Sequence, residues 1–171
     1  MITPSRFEPT GEPFAVRIAF ANDHAAYQQR DAVIAALNEA GHEVLDFGSK
    51  TSEPVDYPDF VAPAAEAVAA GQADRAVTMC GSGIGASIVA NKVPGVRCAL
   101  VTTPEDAELS RRHNDANALA LSSRTVSLEA NLEIVKRWLE TPFDGGRHQR
   151  RIDKIKALEA RRSLGAPRVS R

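Results

Sequence analysis

The sequence predicts an α/β fold with a five-stranded, mostly parallel sheet covered by helices on both faces and closed by a C-terminal helix. Three observations carry this. Short apolar runs of strand length alternate with longer stretches whose apolar residues recur every three to four positions, and glycine or proline punctuates many of the changes. The alternation runs through the chain without an internal repeat or an interdomain linker. At 171 residues, 43% hydrophobic and 25% charged, the chain is long enough for one domain with a sizeable core. Strands that alternate with helices pair in parallel through right-handed crossovers, so both sheet faces are covered.

Residues 1–14 contain three prolines and no sustained periodicity, and are expected to be a disordered extension. The folded domain is expected over 15–162, followed by a flexible tail at 163–171. Residues 15–21 are apolar and short enough to be the first strand. A helix follows over 27–40, where Val33, Ile34 and Leu37 share a face and Gly41 stands at the C-terminal cap. The second strand is expected at 42–47, closed by Gly48. Pro58 suits the first position of a helix that runs through Val61, Ala65 and Val68 to Gly71. The pattern then gives strands at 75–80, 95–101 and 116–121, and helices at 83–91, 104–112 and 126–139. Ile152, Ile155 and Leu158 form the stripe of a terminal helix.

Composition narrows the function. No run reaches the roughly 18 apolar residues of a membrane span, and the first residues lack a basic segment followed by an apolar one, so a cytoplasmic protein is expected. Cys80 and Cys98 lie within expected core, which favours free thiols over a disulfide framework; Cys98 has no expected role beyond packing. A net charge of -1 argues against a protein that coats nucleic acid. The charge is uneven, however: residues 147–171 are strongly basic, which suits either an anion or a solvated helix.

In a parallel α/β sheet, ligands bind beyond the C-terminal strand ends, and four groups are expected there. Asn22-Asp23-His24 follows the first strand; an acid beside an imidazole can orient a hydroxylated ligand and move protons, or Asp23 can simply cap the next helix. Cys80-Gly81-Ser82-Gly83-Ile84-Gly85 joins the third strand to a helix. Its glycines let several amides approach an anion, and a cysteine at that point is either a thiolate base or a core thiol. The spacing is not the dinucleotide fingerprint, and no Walker lysine follows. Arg111-Arg112-His113-Asn114 offers a proton donor and a hydroxyl partner, or cations at a helix C-terminus. Arg147 and Arg151, with His148 between them, are spaced to share one helical face that suits a phosphate, with surface solvation as the competing reading. Tyr57 precedes Pro58 and either closes over a ligand or packs on its loop. Trp138 is read as packing, and His42 is given no role.

The motifs NDHAAY, DYPDF, CGSGIGASIVANKVPGVRCAL, RRHNDANALAL and GGRHQRRIDKI together resemble the ribose-5-phosphate isomerase B family, which includes allose-6-phosphate and galactose-6-phosphate isomerases. The resemblance spans about residues 16–160. It implies a Rossmann-like three-layer αβα sandwich and no cofactor or metal. It also implies a homodimer or homotetramer whose active sites are completed by a neighbouring subunit.

By the same resemblance Cys80 looks like the base that moves a proton between C2 and C1, with Ser82 beside it guiding the transfer. The amides of Gly81, Gly83, Ile84 and Gly85 look like the cradle for the enediolate oxygens. His113 is similar to the group that opens the sugar ring, with Asp23 as its partner. Arg147, Arg151, His148 and His24 resemble the phosphate grip, and Tyr57 and Asn114 would position the open-chain sugar.

Some relatives use a glutamate a few positions further on. Ala86 or a near neighbour stands there, which favours Cys80. The chain departs from the family pattern at Ser122-Ser123-Arg124, where a glycine commonly precedes the serine or alanine and the arginine, and at residues 28–30. The implied reaction interconverts ribose 5-phosphate and ribulose 5-phosphate. An isomerase preferring a six-carbon aldose phosphate and a non-catalytic sugar-phosphate binder are the alternatives. The implied partner is therefore a small sugar phosphate, with no nucleic acid and no membrane.

Overall fold

A computed structural model describes residues 15–163; the expected extension at 1–14 and the tail, apart from Ser163, lie outside the described residues. The strands are β1 (Arg17–Asn22), β2 (Glu43–Asp46), β3 (Arg75–Cys80), β4 (Cys98–Leu100) and β5 (Ala118–Ser122). The helices are α1 (Tyr27–Glu39), α2 (Pro58–Ala69), α3 (Ile84–Ala90), α4 (Pro104–Asn114), α5 (Leu128–Glu140) and α6 (Gln149–Ser163), with single 3₁₀ turns at His24–Ala26 and Gly146–His148. The sheet order is β2-β1-β3-β5-β4, and every pairing is parallel. The expected five-stranded αβα architecture with a C-terminal helix is the one observed. Among the described residues, no helix is long and apolar enough to cross a membrane.

Strand residues alternate not between apolar and polar but between large and small. Ile18 and Phe20 of β1, Val77 and Met79 of β3, and Leu119 and Leu121 of β5 enter one core with Val33, Leu37, Ile134 and Trp138. Their neighbours Ala19, Ala21, Ala76, Cys80, Ala118 and Ala120 enter a second core with Val61, Ala64 and Ala65 of α2 and Ala86 and Ala90 of α3. Side chains at i and i+2 share a sheet face, so the sequence builds a thick face and a thin one. Small residues on both sides of the thin face let α2 and α3 lie close to the strands, and Cys80 belongs to that face.

Several boundaries moved for local reasons. The expected strand over 95–101 shrinks to Cys98–Leu100, because Gly95 adopts a φ of 86° and Val96 N–H donates to Val93 C=O in a turn. The helix expected from 126 starts at Leu128, where the Ser127 hydroxyl caps it by accepting from Ala130 N–H. The helix expected to stop at 112 continues to Asn114, so His113 and Asn114 are helical; Asp115, in the left-handed region at φ 44°, ends it.

The C-terminal end of α5 is closed by two arginines. The Arg75 guanidinium donates to Leu139 C=O at 3.2 Å and lies 5.2 Å from the Trp138 ring centroid. Arg111 lies 6.0 Å from the same ring and donates to Thr141 C=O and Ala116 C=O. Burial first, and then the Arg111 charge, hold Arg75 down to about 10, still protonated near neutrality. Trp138 is wholly buried between them. Trp138→Ala is expected to cost about 3–5 kcal/mol of stability, read as a lower urea midpoint with an unchanged m-value.

Candidate active site

β1 ends in Asn22, and the chain turns at Asp23, whose Oδ1 accepts from Ala25 N–H at 2.9 Å and Ala26 N–H at 3.3 Å. The capping role is therefore real, and it holds a buried carboxylate at the rim of the sheet. His24 follows, with Nδ1 3.2 Å from both the amide nitrogen and the carbonyl oxygen of Val55. One ring nitrogen is thus committed to the β2–α2 loop.

That loop also carries Tyr57. Its ring lies against Gly85 so closely that a Cβ there would stand 2.6 Å from Cζ and 2.9 Å from the phenol oxygen. Tyr57 thus packs on the glycine loop and remains partly exposed above it.

Cys80 closes β3, is almost fully buried, and its Sγ accepts from Gly83 N–H at 3.2 Å. Gly83 turns the chain into α3 at φ 74°; a Cβ there would meet Leu100 Cδ1 at 2.6 Å and the Leu121 backbone at 3.0 Å. Ser82 is exposed, and its hydroxyl accepts from Ile84 N–H at 3.3 Å. Arg124 lies across this loop, with Nε 3.1 Å from where a Gly81 Cβ would be. Sequence reading noted Arg124 only as part of a departure from the family pattern. Its position just past the end of β5, the neighbour of β3, was the available signal. Cys98 differs from Cys80: burial pushes its thiol up to about 12, which suits packing.

The remaining groups assemble elsewhere. His113 and His148 stack face to face, with centroids 4.4 Å apart and planes 8° apart. Asp144 accepts from Arg112 Nε at 3.2 Å through each oxygen, and its own N–H donates to Arg112 C=O. His148 is buried, with Nδ1 unpartnered and Nε2 3.4 Å from Arg147 Nε. Burial first, then the charges of His113, Arg147 and Arg151, hold His148 below its ordinary value of 6.5, against an opposing pull from Asp144. Arg147 and Arg151 are exposed nearby in sequence, on the 3₁₀ turn and the first turn of α6. Asn114, the last residue of α4, lines a cavity of about 410 Å³ with Cys98, Ile155 and Leu158.

Sheet polarity decides how these two clusters relate. In a parallel sheet all strands start at one end, and α4 returns the chain to the start of β5. His113, Asn114 and the 147–151 segment therefore lie at the strand-start end, whereas Asp23, His24, Cys80–Gly85 and Arg124 lie beyond the strand ends. A five-residue strand at roughly 3.3 Å per residue separates the ends by ~13 Å. This corrects the expectation that all four groups share one rim: within one chain His113 faces His148, not Asp23.

Among the described residues, one cluster has a composition suited to a metal, namely His113, Asp144 and His148, with ligand atoms within 4.8 Å of one another. Its geometry does not suit one. In-plane lone pairs of two parallel rings run side by side and do not converge on an ion about 2.0–2.1 Å from each nitrogen. Arg112 already occupies Asp144, and Arg147 adds a further cation, so the cluster suits an anion and the handling of protons.

The model of the Ribose/Galactose Isomerase family matches residues 18–155. Ribose-5-phosphate isomerase B of Escherichia coli is 45% identical over 147 residues, which cover 86% of this chain and 99% of that protein. A solved structure of Clostridium thermocellum ribose-5-phosphate isomerase B superposes with a TM-score of 0.83 at 46% identity, covering 85% of this chain and 99% of the other. The Mycoplasma genitalium ribose-5-phosphate isomerase B, solved with bound ribulose-5-phosphate, gives a TM-score of 0.81 at 40% identity, covering 84% and 96%. The chain belongs to the ribose/galactose isomerase family.

The glycine contacts make a graded expectation. Gly85→Ala meets only the far end of the Tyr57 side chain and costs under about 1 kcal/mol, whereas Gly83→Ala meets backbone at a left-handed φ and costs about 1–3 kcal/mol. Urea unfolding of the two variants checks the order. His148 supplies a pH expectation. The unfolded chain binds its proton more readily than the folded one, so stability falls as pH drops through the ordinary histidine range. Between about pH 7.5 and about pH 5.5, His148→Gln is expected to lose less melting temperature than the parent. His42, held low by burial and then by Arg75, keeps part of the slope in both.

Proposed function

We propose that this chain interconverts ribose 5-phosphate and ribulose 5-phosphate through a cis-enediolate, in sites shared between two copies of itself. The observation that carries the reading is Cys80, with Sγ held by Gly83 N–H at the mouth of a glycine loop beside Asp23 and His24. In the proposed cycle the Cys80 thiolate takes the C2 proton of the open-chain aldose and returns it to C1. The O1 oxyanion of the enediolate gains a proton as the O2 hydroxyl gives one up, with Ser82 guiding the exchange. Negative charge on the two oxygens grows at the transition state, where fixed amides of the 81–85 segment stabilise it most.

His113 protonates the ring oxygen to open the sugar, and Arg147 and Arg151, with His148 and His24, hold the phosphate. Tyr57 and Asn114 orient the chain between. Binding energy from the phosphate positions the carbons without entering the proton transfer. No electron leaves the substrate, so the chemistry asks for no redox cofactor.

The opposite placement of Cys80 and His113 in one chain supports a shared site, because a second copy must bring its His113 end to the Cys80 end of the first. Exposed apolar side chains that a partner would cover support this reading. β4 is a three-residue edge strand, and Leu100 on it, Ile84 and Ile88 on α3, Leu109 on α4, and Ile155 and Leu158 on α6 are exposed apolar side chains.

The primary test is ketose formation from ribose 5-phosphate by purified, chelator-treated protein. Robust turnover is expected, and a large kcat/KM preference for allose 6-phosphate would overturn the five-carbon assignment. Cys80→Ala is expected to lower kcat by at least about 10³-fold with folding intact. Mixing Cys80→Ala chains with His113→Ala chains under subunit exchange is expected to restore about a quarter of parental activity. Half of randomly formed dimers are hybrids, each with one intact site. No recovery in demonstrated hybrids would refute the sharing.

A further inference from the structure

Two consecutive peptide units of the glycine loop are gripped by their carbonyls from the end of β5 and the residues just after it. Cys80 C=O accepts from Ser123 N–H at 3.1 Å and lies 3.2 Å from the Ser123 hydroxyl. Gly81 C=O accepts from Arg124 N–H at 3.0 Å and from the Ser122 hydroxyl at 2.9 Å. In a trans peptide the N–H points opposite to the C=O. With both carbonyls turned toward residues 122–124, the N–H of Gly81 and the N–H of Ser82 face the other way, side by side, as an anion-binding nest does.

The direction of the Ser122 bond is forced. Ser122 Oγ accepts from Thr125 N–H at 3.2 Å and lies 2.6 Å from Thr125 Oγ1. Since Ser122 has one hydroxyl proton and gives it to Gly81 C=O, Thr125 must be the donor in the hydroxyl pair. Ser123 divides its proton between Cys80 C=O and Ala25 C=O, the latter at 3.0 Å, which ties the Asp23 turn to the cysteine loop. The clamp is itself braced: Asn131 Nδ2 donates to Ser122 C=O at 2.9 Å, and Gln29 Nε2 donates to Ser123 C=O at 3.2 Å. Ser122 is wholly buried, so its hydroxyl is not shared with bulk water, while Ser123 is half-buried.

We propose that the Ser122 and Ser123 hydroxyls are positioning groups that aim and polarise the Gly81 and Ser82 amides for the enediolate oxygens, an inference that rests on the isomerase reading. A carbonyl that accepts two hydrogen bonds draws charge through its peptide unit and makes the N–H of that unit a stronger donor. Such a donor matters most where negative charge develops during reaction, and little for the ground-state sugar or its phosphate. Of the two hydroxyls, that of Ser122 stands where the family pattern has a glycine, so the chain has supplied a side-chain donor of its own there, whereas Ser123 keeps the serine of the pattern.

The test uses Ser122→Ala and Ser123→Ala in the full chain, with three readouts. In steady-state turnover of ribose 5-phosphate, each variant is expected to lose about three- to thirtyfold in kcat with KM within about twofold, a fraction of what loss of a whole oxyanion donor costs. Affinity for a phosphorylated hydroxamate, whose planar oxygens copy the enediolate, falls by a matching factor, while inhibition by inorganic phosphate is unchanged. In amide NMR of the ligand-free protein, the Ser82 resonance shifts in Ser122→Ala and the Gly81 resonance shifts in Ser123→Ala.

Unchanged kcat in both variants, or equal weakening of hydroxamate and inorganic phosphate, would overturn the proposal. An inactive parent with the amide shifts intact would instead overturn the isomerase reading and leave the clamp standing. Should one variant fail to fold, the other carries the same test through its own carbonyl.

Discussion

The alternation of bulky and small side chains along β1, β3 and β5 is the constraint on which the rest of the molecule depends. Phe20, Met79 and Leu121 need depth on one side of the sheet, and α1, α4 and α5 provide it around Trp138. Alanines on the other side leave no room to fill and no bulk to hold helices away, so α2 and α3 settle against the strands. Cys80 is the last thin-face residue of β3. Its sulfur therefore emerges under the first turn of α3, within reach of Gly83 N–H, without any special loop design beyond a left-handed glycine. Packing and chemistry are set by the same two-residue periodicity.

Parallel strands then impose a division. Every crossover helix carries the chain from the strand-end side back to the strand-start side, so a residue late on α4 cannot remain beside a residue late on β3. Proton handling by Cys80 and the imidazole stack of His113 with His148 are kept apart in one chain by the length of the strands themselves. The cations Arg112, Arg147 and Arg151 collect around that stack on the far side.

Much of this was legible in the sequence. Period and punctuation give the order of strands and helices, and Gly83, Pro58 and Gly41 mark turns that the structure retains. The Asp23-His24 pair and the Cys80 loop fall at strand ends because the fold class alone requires it. What period alone does not convey is which end of the sheet a helix terminus reaches: the sequence puts Arg111–Asn114 among the strand-end groups, whereas α4 runs on to Asn114 and brings them to the strand-start end of their own chain. The Ser122 and Ser123 clamp was hidden for another reason. Serine at a strand end is ordinary turn chemistry, and only the register of β3 against β5 shows that these hydroxyls face the carbonyls of Cys80 and Gly81.

Trp138 also has an optical consequence. It is the sole tryptophan of the chain, wholly buried and flanked by the Arg75 and Arg111 guanidiniums. Selectively excited emission from this protein therefore comes from a single site, close to the end of the sheet that holds the imidazole stack and remote from the cysteine loop. Emission maximum and quenching by neutral or charged solutes report the integrity of the core around that site.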